Sequence, residues 1–265
     1  MGEEEKVKMK DYQEFTALIH RKTGLNLHLY KEVQMKRRLN TLREKRGYKD
    51  FLSYYKAMSE DDTMLKEFLD RVTINVSEFY RNYPRWEALE KNILPSLLKK
   101  KRKLKVWSAA CSTGEEPYTI AMILRQYMDP ADITILATDI DETVLERAKK
   151  GLYPERSLKE VPQAVKQQYF HQEGALFRVD DSIKRLVQFK KHNLLSDRFE
   201  QNVDMIVCRN VLIYFTEEAK QKVYLNFSKS LTKDGVFFVG STEQIFQPQQ
   251  YDLSVIDNFF YQKQS

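Results

Sequence analysis

A chain of 265 residues with two cysteines and a formal charge of +6 is long enough to bury an ordinary core without a disulfide framework, as one large domain or a domain plus a smaller one. The opening MGEEEKVKMK lacks the apolar centre of a signal peptide and no later run approaches bilayer length, so a cytoplasmic protein without membrane insertion is expected. The positive excess favours an acidic partner but does not choose among nucleic acid, lipid headgroups and protein.

From Met9 to about Thr73 the spacing is helical, with almost no strand signal. Phe15, Leu18 and Ile19 define a first helix that closes near Gly24. A second, from about Lys31 to Arg46, has Met35, Leu39 and Leu42 as its apolar seam and stops at Gly47. Shorter helices take in Phe51 to Met58 and Leu65 to Val72, the latter after the acidic and hydroxyl run Ser59 to Thr63. Residues 1–74 therefore form a small all-α domain. Much of the positive excess lies between Lys31 and Lys49. The alternatives there are a solvated surface helix and a docking face for an acidic partner.

Asn75 to Arg81 reads NVSEFYR, a linker or a segment offering an amide, a hydroxyl and a cation to a neighbouring site. A helix begins near Tyr83 or Pro84. KVWSAACSTGEE, Lys105 to Glu116, is a short apolar run ending in small residues, one glycine and two carboxylates. It predicts a buried strand, a tight turn and a helix to about Met128, with Pro117 in the first turn where its missing N–H is harmless. Ile133 to Ile140 is a second strand, ending beside Asp139 and Asp141. An acid there, a little over 20 residues past the turn, is where Rossmann-type folds hold ribose hydroxyls. Asp139 takes that role and Asp141 caps the helix Glu142 to Lys150.

Leu176 to Val179 and Leu186 to Lys190 are expected to pair as an antiparallel hairpin, after a helix at Gln163 to Phe170. That hairpin makes an inserted β-subdomain at about 171–191, leading to His192, Asn193 and Leu194. Val203 to Cys208 is another buried strand, followed by CRNVLIYF. This run puts Arg209, Asn210 and Tyr214 beyond the sheet edge. A helix from Glu217 to Leu231, a strand from Val236 to Gly240 and a single last strand from Val255 to Tyr261 complete the pattern. Cys111 and Cys208 lie in apolar strands, as buried thiols of a reducing compartment do.

Gly114 alone does not make G-x-G-x-x-G, and there is no phosphate-binding G-x-x-x-x-G-K-[ST]. This leaves a nucleoside ligand without a diphosphate, and S-adenosylmethionine is the common one. Glu116 or Glu115 would face its amino group. The four histidines have no metal-ligand spacing with the cysteines, so no metal is expected.

VWSAACSTGEEPY, ATDID and CRNVLIYF, in that order after a basic helical domain, resemble the bacterial chemotaxis methyltransferases of the CheR type over nearly the whole chain. The resemblance implies an α/β, Rossmann-like S-adenosylmethionine-dependent methyltransferase domain at 75–265, with an inserted antiparallel β-subdomain and preceded by the all-α domain. It implies methylation of specific glutamate side chains on methyl-accepting chemotaxis receptors for sensory adaptation, giving glutamate methyl esters and S-adenosylhomocysteine. It assigns Asn75, Ser77, Arg81, Glu116, Asp139, Asn193, Leu194, Arg209 and Asn210 to the cofactor and Tyr214 to the neighbourhood of the transferred methyl. In the reaction this implies, Arg81 or Arg209 would orient the receptor carboxylate while Tyr214 lines the channel. The cytoplasmic helices of receptors become the acidic partner, met by Arg38 and Lys45. No nucleic acid is implied, and a monomer is expected. Residues 170–189 are shorter and less glycine-rich than in those relatives that dock a receptor tail peptide.

Two other classes compete. A nucleic-acid methyltransferase would share the fold and charge, but base-amino enzymes carry [DNS]-P-P-[YF] where this chain reads RNVLIY. A cofactor-sensing scaffold would bind receptors without turnover.

Overall fold

The computed structural model describes residues 3–73 and 75–265, with side chains from residue 9 onward. They fall into two compact units, Met1–Ile74 with Tyr214–Gln221, and Asn75–Ile213 with Lys222–Ser265. The helical expectation for 1–74 includes residues 1, 2 and 74, which lie outside the described ones.

The first unit holds α1 (Glu3–Thr23), α2 (Glu32–Lys45), α3 (Phe51–Glu60) and α4 (Asp62–Val72). Its core is aromatic. Phe15 is fully buried with Phe51 at 4.9 Å and Phe68 at 5.9 Å between ring centroids. Asp50 and Asp61 cap α3 and α4, and Asp11 accepts the Phe51 and Leu52 amides at 2.8 and 3.0 Å, so the orphan donors at the start of α3 are satisfied. The segment from Tyr214 packs on this unit: the Lys31 amide donates to the Tyr214 carbonyl at 2.9 Å, and Tyr30 bridges Phe215.

The second unit opens with α5 (Tyr83–Ala88), a π-helical turn at Leu89–Ile93 and α6 (Leu94–Lys100). The α/β body follows: β1 (Leu104–Ala109), α7 (Glu115–Leu124), β2 (Ile133–Asp139), α8 (Glu142–Lys150), β3 (Leu152–Pro154), α9 (Gln163–Tyr169), β4 (Phe170–Glu173), β5 (Leu176–Val179), α10 (Asp181–Lys184), β6 (Val187–Lys191), β7 (Val203–Cys208), α11 (Glu217–Ser230, shared between the units), β8 (Leu231–Val239), β9 (Leu253–Asp257) and β10 (Phe260–Lys263). The main sheet has the order β6-β2-β1-β7-β8-β10-β9. Its first five strands run parallel, and β10 and β9 are antiparallel additions. The chain winds outward from β1 to β2 and β6, then returns to β7 on the other side of β1. The β1/β7 boundary is thus the topological switch point, where open α/β sheets bind ligands beyond their carboxyl ends.

Two expectations are corrected. Val187–Lys191 does not pair with Leu176–Val179; it lies parallel to β2, with Val187 opposite Ile135 and Lys191 opposite Asp139. The physical reason is Asp180, which accepts the Ser182 amide at 2.8 Å and starts the short α10, carrying the chain off one sheet and onto the other. The antiparallel β-subdomain exists, but as a separate sheet ordered β3-β5-β4 that begins at Leu152. The single last strand is two strands, β9 and β10, reversed at residues 258–259 with Phe259 at a φ of 71°. No helix among the described residues is long and apolar enough to cross a membrane.

Candidate functional site

Beyond β1 the backbone makes the turn that its small residues allow. Ala110, Ser112 and Gly114 all have positive φ, of 62°, 49° and 93°. Gly114 is required there, because a Cβ would fall 2.8 Å from the Ala148 Cβ in addition to the left-handed strain. The turn is tied to β2, with the Cys111 amide donating to the Thr138 carbonyl and the Ser112 amide to the Asp139 carboxylate, both at 2.8 Å.

Three acids line this edge. Asp139 accepts from the Ser112 and Asp141 amides at 2.8 and 3.0 Å. Its burial raises its pKa to about 6, against the pull of those two donors. Glu116 is pushed up to about 7 by burial, opposed by Arg209 and by the Ser108 hydroxyl, which donates to it at 2.9 Å. Glu115 is likewise raised by burial, and it accepts from the hydroxyls of Thr113, at 2.6 Å, and Ser77. Asp141 caps α8 through the Thr143 amide at 2.8 Å, as its position beside the helix start predicts.

NVSEFYR is not a loose linker. The Phe79 amide donates to the Ser157 carbonyl at 3.0 Å and the Tyr80 amide to the Thr119 hydroxyl at 3.1 Å, while the Phe79 ring is fully buried against Tyr153 and Phe170. This anchoring carries Asn75 to Asp141, at 3.3 Å, and to the Ser112 hydroxyl, at 3.5 Å. Arg81 donates to the Val76 carbonyl at 3.0 Å and stays half-exposed.

Arg209, at the end of β7, is buried between the rings of Trp86 and Phe238, 5.0 and 4.9 Å from their centroids. Its Nη2 donates to the Arg81 carbonyl at 2.9 Å, and its Nη1 lies 3.9 Å from Glu116. Burial holds its pKa below the usual guanidinium value. Past β6, the His192 amide donates to the Asp139 carbonyl at 2.9 Å, which sets Asn193 and the buried Leu194 next to β2's acid. Asn193 is fixed by a turn in which its amide donates to Asp197 and its side chain accepts the Leu195 amide.

The structure thus brings Asn75, Ser77, Arg81, Glu116, Asp139, Asn193, Leu194, Arg209 and Asn210 to one edge of the second unit. Tyr214, Arg38 and Lys45 belong to the first unit. There the Arg38 guanidinium lies 5.8 Å from the Tyr214 ring centroid and donates to the Val72 carbonyl at 2.8 Å, whereas Lys45 is exposed. Lys45 borders a small pocket of about 160 Å³ with Arg46, Glu67 and Arg71 among its lining.

One residue escaped the sequence reading. Glu243 is buried, and its carboxylate accepts the backbone amides of Asn210, Val211, Leu212 and Gly240 at 2.5 to 2.9 Å. Its STEQ context offers no motif or period that marks it.

The donor set fits S-adenosylmethionine on chemical grounds. Three carboxyl groups buried at a strand edge disfavour ionisation when left alone, and a cationic ligand offsets that cost. Residues 75–260 match the family model described as the CheR methyltransferase SAM binding domain, and residues 10–73 match the CheR methyltransferase all-alpha domain. Switch point, acidic edge and match together define an S-adenosylmethionine-dependent methyltransferase domain. The chain is 45% identical over 255 residues, 96% of its length and 97% of the relative's, to a Listeria monocytogenes protein named chemotaxis protein methyltransferase. A Listeria innocua protein of the same name is 44% identical over the same shares, and one from Borreliella burgdorferi is 35% identical over 86% of each chain. The chain belongs to the CheR methyltransferase family.

Proposed function

We propose that this protein is a protein-glutamate O-methyltransferase acting on the cytoplasmic helices of methyl-accepting chemotaxis receptors. The supporting observation is the buried acidic edge of Glu116 and Asp139 joined to Arg209, within a chain similar over its length to proteins named as chemotaxis methyltransferases. The cofactor, when bound, supplies an activated methyl on a sulfonium.

Asp139 is assigned to the ribose hydroxyls and Glu116 to the cationic amino group, with Asn75, Ser77, Asn193, Leu194 and Asn210 completing the pocket. The receptor carboxylate is ionised near pH 7 and needs no general base, so catalysis rests on positioning and exclusion of water. Arg81 has the more exposed guanidinium and is assigned to that carboxylate; Arg209, enclosed by two rings, orients Glu116. Tyr214 is assigned to the transferred methyl on the family pattern alone. Lys45 is the docking residue, through salt-sensitive steering toward acidic helices, and Arg38 supports that face from within its unit. The protein is taken as a cytoplasmic monomer.

Incubation with methyl-labelled cofactor and either receptor-bearing membranes, DNA or RNA separates the readings. Base-labile label on receptor protein is expected. Label on nucleic acid, or none on any substrate, contradicts the proposal.

A further inference from the structure

The family pattern names Arg209 and Asn210 but nothing that holds them. Asn210 has a φ of 62°, a left-handed backbone that asparagine takes more readily than other side chains and that its surroundings here fix. In that conformation the successive amides of Asn210, Val211 and Leu212 converge, at 2.5, 2.8 and 2.7 Å, on one carboxylate, that of Glu243. Such concave runs of amides are anion sites, and here a side chain of the same chain fills the site. Gly240 donates a fourth amide at 2.9 Å. A Cβ on Gly240 would collide with the Glu243 carboxylate and come 2.9 Å from the Asn210 nitrogen. The same turn reaches the other side of the cofactor edge, where the Asn82 side-chain amide donates to the Ser241 hydroxyl at 2.5 Å. Asn82 follows Arg81, whose carbonyl accepts from Arg209 at 2.9 Å. The contacts close a ring: Arg81, Arg209, the 210–212 loop, Glu243, the Gly240–Ser241 turn, Asn82.

We propose that the turn 240–243 is the positioning element of the cofactor edge, and that Glu243 is the positioning residue that sets the conformation of Arg209 and Asn210 without touching the ligand. This rests on the cofactor reading above. A carboxylate is needed because one group must accept from all four donors; the Glu243→Gln amide turns an N–H₂ toward amides and leaves some of them buried without an acceptor. A merely structural glutamate would change the melting temperature and leave the affinity of the still-folded protein alone.

The test is titration of the full chain with S-adenosylhomocysteine by calorimetry, well below the melting temperature, for wild type, Glu116→Ala and Glu243→Gln. The expected result is binding by wild type and an affinity at least about tenfold lower in Glu243→Gln with its circular dichroism retained. Should Glu243→Gln fail to fold, Glu243→Asp, which keeps the charge and withdraws it by one methylene, is read instead, with a loss of at least about threefold expected. Affinity within about twofold of wild type in the folded variant overturns the inference. The cofactor reading fails separately, if wild type does not bind or if Glu116→Ala binds as wild type does.

Discussion

The Arg209 guanidinium lies 3.9 Å from the Glu116 carboxylate, with both side chains almost removed from solvent, at 3% and 12% exposure. They do not simply neutralise each other: burial still leaves Glu116 with a pKa of about 7. The Ser108 hydroxyl and Arg209 offset only part of the cost of burying this carboxylate, and in the proposed function a cationic amino group would offset more of it.

Ligand binding should therefore release a proton. Near pH 7 a substantial fraction of Glu116 is protonated, and a cation placed against it favours the ionised form. Binding of S-adenosylhomocysteine, whose amino group is cationic, should release protons and strengthen as pH rises from 6 to 8. Calorimetry in phosphate and in Tris, whose ionisation heats differ, reads the proton count directly. Equal heats in the two buffers would remove this role from Glu116.

Stability should run the opposite way. A carboxyl whose folded pKa is raised from 4.5 to about 7 contributes stability that is fully present below pH 4.5 and is lost as pH rises through 7. The lost contribution is as much as about 3 kcal/mol. Glu116→Gln should flatten this part of the profile and melt above wild type at pH 8, even as it loses cofactor affinity. Thermal melts of both proteins between pH 5 and 8 check it.

Gly114→Ala should destabilise the second unit by about 1–3 kcal/mol, because φ is 93° and the new methyl meets Ala148. Urea denaturation measures the loss. Its expected companion is weakened cofactor binding, since the turn that presents Ser112 and Glu115 shifts with it.

The two basic candidates on α2 should separate. Lys45 is exposed, so Lys45→Glu is expected to leave the melting temperature unchanged and to lower receptor methylation several-fold at low salt, with the difference fading at high salt. Arg38 is tied to the Val72 carbonyl and stacked near Tyr214, so Arg38→Glu should lower both stability and activity. Methylation rates at two salt concentrations, beside melts of each variant, distinguish them.

Legibility followed distance along the chain. The strand, turn and helix around Gly114 are local, and Asp139 is found by its place at the end of the next strand, so both could be read from spacing. β6 could not, because its partner β2 lies about fifty residues upstream while β5 is close by, and only the capped turn at Asp180 diverts it. The break between β9 and β10 carries no glycine or proline; Phe259 takes the positive φ itself. The Trp86 and Phe238 rings around Arg209, and Glu243 under Asn210, join segments separated by between about thirty and over a hundred residues. No local pattern records such contacts.

If the buried acidic edge cradles the cofactor, removing Glu116 must weaken ligand binding, and calorimetric titration of wild type and Glu116→Ala with S-adenosylhomocysteine at pH 7.5 reads this. Binding by wild type and a loss of at least about tenfold in the variant are expected. Equal affinity in the two folded proteins would contradict the cradle.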